Sequence, residues 1–333
     1  MILYEDNQYV FISMAYYSFC NEIMLVKENG RYLGPIKNER FLSGQEINAV
    51  VSFVYGYNAK KLLVVDMKYV SNISDHFFEK LKNLKNKLIC FTNLSKLVRD
   101  ELKAELPPEI MIGRNCIFAN KQSANAYRNN CKKIEQTYVN KSAQIIREMV
   151  EELDEDDIRP LDSSNVYCNT YVNMKKLFVN PDWYNYIMFQ LVQLIAPEIN
   201  QVDALICASK NGANIASNLG WLFNKKVVYC MNLGPKFSVV RETLLNEIRQ
   251  EKKYAFIYDF ICLGTELKTL NALVGVLGAK LIAGYGIANY IELPETTVEG
   301  NILEKMHSVI NLQEACIEYR IAGTKKEIVQ MRR

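Results

Sequence analysis

An apolar run, Ala255-Phe256-Ile257, is followed two residues on by Asp259, and a short turn carrying Cys262, Gly264 and Thr265 leads into a helical stretch that closes near Gly278-Ala279. Each part has a chemical use. A glycine-bent turn that opens a helix presents backbone N–H groups and the positive end of the helix dipole, a concave donor surface for phosphate. A carboxylate at the carboxyl end of a strand stands where open α/β sheets bind ligands. Asp259 there can accept from a ligand hydroxyl or hold the water shell of a hard cation.

A second turn of the same design lies upstream. Ala204-Leu-Ile-Cys-Ala208 runs into Ser209-Lys210-Asn211-Gly212, and Ala213 follows. Gly212 is expected to open a helix whose N–H groups face an anion, with Lys210 adding a point charge. The competing readings are a plain strand-to-helix turn with an exposed lysine, and Asp259 as a mere strand-end cap.

Such turns need a parallel sheet behind them. Apolar strands are expected at Val202 to Cys207, Val227 to Met231, Ala255 to Asp259 and Leu281 to Ala288. Helices are expected at Trp183 to Ala196 (closed by Pro197), Ala213 to Phe223, Arg241 to Gln250 and Leu267 to Leu277. Strand and helix in alternation read as an α/β fold with a doubly wound parallel sheet.

The 333 residues suffice for two domains, and with 49% apolar residues both halves can bury a core. The chain lacks an apolar run of about eighteen residues and a secretory pattern at its start, so it reads as soluble and cytoplasmic, with no membrane partner. Nine scattered cysteines, none in a C-x-x-C pair, fit a reducing compartment, and two histidines in unrelated segments argue against a zinc site or a histidine triad. A net charge of +3 with dispersed basic residues gives no ground for a nucleic-acid partner.

Residues 1–125 read as a first α/β unit. Tyr9 to Ser13 and Glu22 to Val26 are β-rich, and Asn29-Gly30 signals a hairpin turn. Lys61 to Asp66 and Lys87 to Phe91 frame a helix expected over Ser71 to Asn86, with Phe77, Leu81 and Leu84 on one face. Residues 126–157 read as a polar and acidic linker with a helix over Ser142 to Leu153. Its end packs six acids into positions 151–157, a solvated run. Residues 158–293 form the second domain, and 294–333 a C-terminal extension read as a solvated terminus.

Two resemblances sharpen these readings. Val65-Asp66 followed by Val70-Ser-Asn-Ile-Ser74 resembles the STAS family of small regulatory domains, which implies a partner-binding or nucleotide-binding first domain, with Ser71 or Ser74 as a modifiable hydroxyl. The plainer reading of Ser74 is a helix cap. The stretch from Ile257 to Glu266 resembles the phosphoribosyl pyrophosphate (PRPP) motif of type I phosphoribosyltransferases: an apolar strand, two adjacent acids, and a Thr/Gly-rich loop ending in a hydroxyl residue. Asp259 keeps the second acid and Gly264 the first loop glycine. Tyr258 replaces the first acid, and Glu266 stands where the family sets a hydroxyl against the 5′-phosphate. Pro160 to Phe178 resembles the hood of orotate-type members, Asp203 to Gly212 their first strand and pyrophosphate loop, and Lys225 to Tyr229 their second strand.

The family resemblance spans roughly residues 158 to 290. It implies a PRPP or nucleotide site built from Ser209, Lys210, Asn211, Gly212, Asp259, Cys262, Gly264 and Thr265, with Mg²⁺ near Asp259 when PRPP is bound. Tyr171, Asn173 and Lys176 of the hood are the base-facing candidates. A mobile loop between Asn232 and Lys253, with Lys236, Arg241 and Arg249, is implied too, although Leu244, Leu245 and Ile248 there have the spacing of a packed helix. Homodimers are common in the family. Glu266 can escape repulsion by turning outward along the helix's first turn. With Tyr258 and Glu266 in place the site is eroded, and the expectation is a ligand-sensing, regulatory or interaction module, as in relatives such as the purine repressor or in bacterial defence operons. The alternative is an active, Mg-dependent transferase joining a nitrogenous base to PRPP.

Overall fold

The computed structural model describes residues 2–331 apart from 23–26, 33–39, 43–48, 51, 55, 58–59, 69, 74–83, 85, 106–110, 159, 161–165, 231–246, 291–301 and 314. The chain divides into two compact units, Met1–Glu28 with Leu33–Lys141 and Asn29–Tyr32 with Ser142–Arg333. Among the described residues no helix is long and apolar enough to cross a membrane.

The first unit is built on a mixed sheet with the strand order Ile2–Glu5, Tyr9–Ser13, Leu62–Asp66, Ile89–Thr92, Ile117–Phe118, Met111–Ile112. The three strands Tyr9–Ser13, Leu62–Asp66 and Ile89–Thr92 run parallel, and the flanking ones are antiparallel. All residues of those three strands are buried, so they read as continuous apolar runs rather than alternating ones. Asn29 and Gly30 adopt left-handed φ of 50° and 79°, as the expected tight turn requires.

Four expectations change here. Val70–Ile73 is a strand paired with Arg40–Leu42, not the start of a helix. Ser71 therefore sits inside a strand, which removes the helix-start geometry behind the STAS resemblance; β-branched Val70 and Ile73 find a pairing partner that outweighs local pattern. Ser74, Phe77 and Leu81 lie outside the described residues. The polar stretch after Asn120 is helical, Lys121–Glu135 and then Thr137–Met149. Its polarity is that of a solvated face, since Ser123, Ala124 and Ile134 are buried and the Asn120 side chain caps the start from Ser123 N at 2.8 Å. Thr137–Met149 ends short of Leu153, and Val150–Glu152 pairs instead with Thr170–Val172. Glu22 closes a helix, Met14–Glu22, rather than opening a strand.

In the second unit five strands lie side by side, all parallel, in the order Lys226–Tyr229, Ala204–Cys207, Lys253–Ile261, Lys280–Asn289, Met306–Asn311. Numbered along the chain this is 2-1-3-4-5. The order reverses direction between Ala204–Cys207 and Lys253–Ile261, the position where doubly wound sheets open a crevice at the carboxyl ends of their strands. Ile206, Phe256, Leu267, Leu270 and Val274 pack into one core cluster there. Helix Pro181–Ile195 begins with proline in its first turn and with Asn180 accepting from Trp183 N at 3.2 Å, as proline at a helix start favours.

The C-terminal segment is not a solvated tail. Met306–Asn311 forms the fifth strand of the sheet, and Ile321–Ala322 pairs with Tyr167–Cys168. Gly286 makes the third and fourth strands compatible: a Cβ there would lie 2.1 Å from the ring of Tyr258. Tyr258 is 2% exposed, and its hydroxyl donates to the His307 carbonyl at 2.9 Å. Ile248 to Gln250 lie outside any helix, so the expected helix does not reach Gln250; Lys236, Arg241, Leu244 and Leu245 lie outside the described residues.

Candidate functional site

Pairing of Cys207 with Ile257 sets the end of the first strand beside the third, which runs on to Ile261. Two residues beyond that pair, on each strand, stand Ser209 and Asp259. The Ser209 hydroxyl accepts from Gly212 N at 2.9 Å, which caps helix Lys210–Phe223, and donates to Asp259 Oδ1 at 2.9 Å. Asn211 Nδ2 donates to Asp259 Oδ2 at 2.9 Å. One turn thus fixes both oxygens of the carboxylate, leaving further lone pairs on each for a ligand.

These groups line a cavity of about 260 Å³ together with the Gly264 turn. Gly264, at φ 67°, precedes helix Thr265–Val276, and no side chain caps that helix. A glycine adopts this left-handed φ without strain, and the uncapped first-turn N–H groups remain donors for an anion. Thr265, Glu266 and Cys262 share the cavity wall.

Glu266 does not turn outward. Burial, and after it the charge of Asp259, push its carboxyl up to about 7. The helix dipole favours an acid in this first turn, while desolvation and a like charge favour its neutral form. A protonated Glu266 is a donor, not a repulsive charge.

The other predicted residues divide. Ser209, Asn211, Asp259, Cys262, Gly264, Thr265 and Tyr171 line the cavity. Lys210 is exposed and Gly212 is the third residue of its helix, with its N–H already taken by Ser209; neither belongs to the lining. Asn173 caps helix Met174–Val179 and donates to Glu151 Oε1 at 3.1 Å, and Lys176 pairs with the same oxygen at 2.8 Å. The acidic run therefore anchors the hood residues away from the cavity wall. Ser163 and Ser164 lie outside the described residues.

Tyr319 is the residue that sequence reasoning missed. It is 4% exposed, lines the cavity, and meets Phe260 edge-on at 5.4 Å between ring centres. Its hydroxyl bonds the sulfurs of Cys168 and Cys262, and burial drives its ionisation far up. No local pattern joins Tyr319 to Asp259: its segment is held by the pairing of Ile321 with Cys168 and the bonds of Arg320 to Asn169.

Solved structures similar to this chain are phosphoribosyltransferases. The orotate phosphoribosyltransferase of Aeropyrum pernix is 14% identical, with 52% of this chain and 94% of that one covered at a TM-score of 0.39. The adenine phosphoribosyltransferase of Thermoanaerobacter pseudethanolicus is 12% identical, with 50% and 98% covered at 0.38. The purine phosphoribosyltransferase of Pyrococcus horikoshii is 17% identical, with 38% and 82% covered at 0.29. No protein-family model and no curated protein matches. At these values the functional reading rests on the chain's own residues.

Proposed function

We propose that the second unit binds a ribose phosphate, either PRPP or a nucleotide, and serves as a ligand-sensing, regulatory or interaction module. The observation that carries this is Asp259, held by Ser209 and Asn211 opposite an uncapped helix start. The carboxylate suits a sugar diol, and the Gly264–Thr265 N–H groups suit a phosphate within the same cavity. Tyr258 supports sensing over turnover: the position expected to carry a second acid holds a phenol spent on the sheet interior. Such a module behind an α/β first domain suits a regulatory or defence setting, with a protein partner for the first domain.

A specific observation favours the rival enzyme. Glu266 brings a second carboxylate into the cavity from the far side of the turn. Asp259 and Glu266 together fit Mg²⁺, which takes one or two carboxylates with phosphate oxygens and waters. The ion would neutralise pyrophosphate charge, while Asp259 and the helix N–H groups orient the sugar phosphate.

Calorimetry of the full chain with PRPP, with and without Mg²⁺, tests the site, and Asp259→Ala tests its location. Binding that vanishes in the variant supports the assignment; absence of binding for PRPP and for nucleotides alike removes it. Release of pyrophosphate on adding PRPP with orotate or adenine moves the reading to the enzyme.

A further inference from the structure

The first unit carries a cavity of its own. It opens at the carboxyl ends of Leu62–Asp66 and Ile89–Thr92, measures about 640 Å³, and includes Lys68, Thr92, Arg114 and Cys116 in its wall. That volume falls in the range of small-molecule sites, and strand carboxyl ends are their usual place in sheets of this kind.

Several polar groups in the wall are already satisfied. Buried Asp66 accepts from Tyr138 Oη at 2.5 Å, Asn93 Nδ2 at 2.8 Å and Lys68 N at 3.0 Å, and burial raises its carboxyl above the ordinary value. Thr92 is different. It is 4% exposed, and its hydroxyl has no hydrogen-bond partner among the described residues. An orphaned buried hydroxyl costs roughly 1–3 kcal/mol unless something else bonds it.

Pairing of Ile117 with Phe91 carries Cys116 to the level of Thr92. Cys116 lies against Cys90, the Tyr127 hydroxyl and the Asn115 backbone, whose hydrogen bonding holds its thiol below the ordinary range. The charged residues of the wall are Lys68, Arg114 and Glu135, with Asp66 nearby enclosed by its donors. Cations outnumber the exposed acid.

We propose that this cavity is a binding site for a small anion carrying a carboxylate or phosphate, held by Arg114 and Lys68 with Thr92 as a polar contact, beside the Cys116 sulfur. The residues that form it all belong to the first unit.

Cys116 reports on it directly. In alkylation its thiolate forms an S–C bond and iodide leaves with the C–I electron pair; once intrinsic reactivity is divided out by reference cysteines, anionic iodoacetate and neutral iodoacetamide differ in whether the site attracts a carboxylate. Both reagents are applied briefly to the reduced full chain, and labelling is read by peptide mass spectrometry at Cys116, with exposed Cys20 and Cys316 as references. The iodoacetate-to-iodoacetamide ratio at Cys116 is expected to exceed that of the references by roughly three- to tenfold, the effect of one cation several ångströms away in a partly hydrated wall. Arg114→Gln, an exposed change that spares its backbone bond to Arg99, should bring the ratio close to theirs. A ratio equal to the references in the unaltered chain, or one that Arg114→Gln leaves unchanged, overturns the proposal.

Discussion

Ser209 and Asp259 lie fifty residues apart in the chain and are joined by a 2.9 Å hydrogen bond. That bond ties the helix cap of one turn to the acid of the next, so the two loops form one polar unit at the reversal of strand order. Ser209→Ala removes both roles. Loss of the cap should lower stability by about 1 kcal/mol, measured by urea unfolding. Ligand affinity should fall further than that, because Asp259 loses one of its two side-chain anchors. Equal affinity for PRPP in the two proteins would show that the tie has no bearing on binding.

Tyr258 gives the second test. Its ring occupies the space in which Gly286 lacks a Cβ. Gly286→Ala should destabilise the second unit by about 1–3 kcal/mol through overpacking, seen as a lower thermal midpoint. Tyr258→Phe, which loses the hydroxyl's bonds to the His307 carbonyl and the Ser308 side chain, should cost about 0.5–1.5 kcal/mol per bond and leave ligand binding intact. If Tyr258→Phe abolished binding, the side chain would belong to the site rather than to the sheet.

The legible parts of this chain are those with local causes. Strands such as Ala255 to Asp259 and helices such as Leu267 to Leu277 follow from apolar period and turn chemistry, and their ends fall within a few residues of those observed. The cavity lining at Ser209, Asn211, Asp259 and Gly264 is readable because Ser209 and Gly264 cap helices, Asn211 lies in the first turn of one, and Asp259 stands near the end of its strand. What failed was long-range. Met306 to Asn311 contains His, Ser and Asn and shows no strand pattern by itself; it becomes a strand because Lys280–Asn289 offers an edge. Tyr319 is held through the pairing of Ile321 with Cys168. Val70 to Ile73 fails for the same reason, taking its form from Arg40–Leu42.

The fifth strand therefore carries a prediction. A chain ending before Met306 would uncover the edge of Lys280–Asn289 and remove Tyr319 from the cavity wall. Exposed strand edges recruit other chains, so the shortened protein should aggregate or lose its cooperative melt. A soluble, cooperatively unfolding product would mean that the C-terminal segment is an accessory.

Glu266 separates the sensing and catalytic readings by pH. Its carboxyl lies at about 7 in the folded chain against an ordinary value of 4.5. The native state thus binds more protons than the unfolded one across that window, so stability should fall as pH rises from about 4.5 to 7. Each pH unit of pKa shift corresponds to about 1.4 kcal/mol, and a loss on the order of 1–3 kcal/mol is expected, absent in Glu266→Gln. Ligand binding follows the same proton. A phosphate bound without metal meets a neutral donor below pH 7 and a carboxylate above it, so affinity should weaken as pH rises and Glu266→Gln should flatten the curve. With Mg²⁺ held between Asp259 and Glu266 the sign reverses: the ionised acid is needed, affinity in Mg²⁺ rises through pH 7, and Glu266→Gln weakens it. The direction of that slope, measured in the presence and absence of Mg²⁺, decides whether the second carboxylate is a proton-controlled gate or half of a metal site.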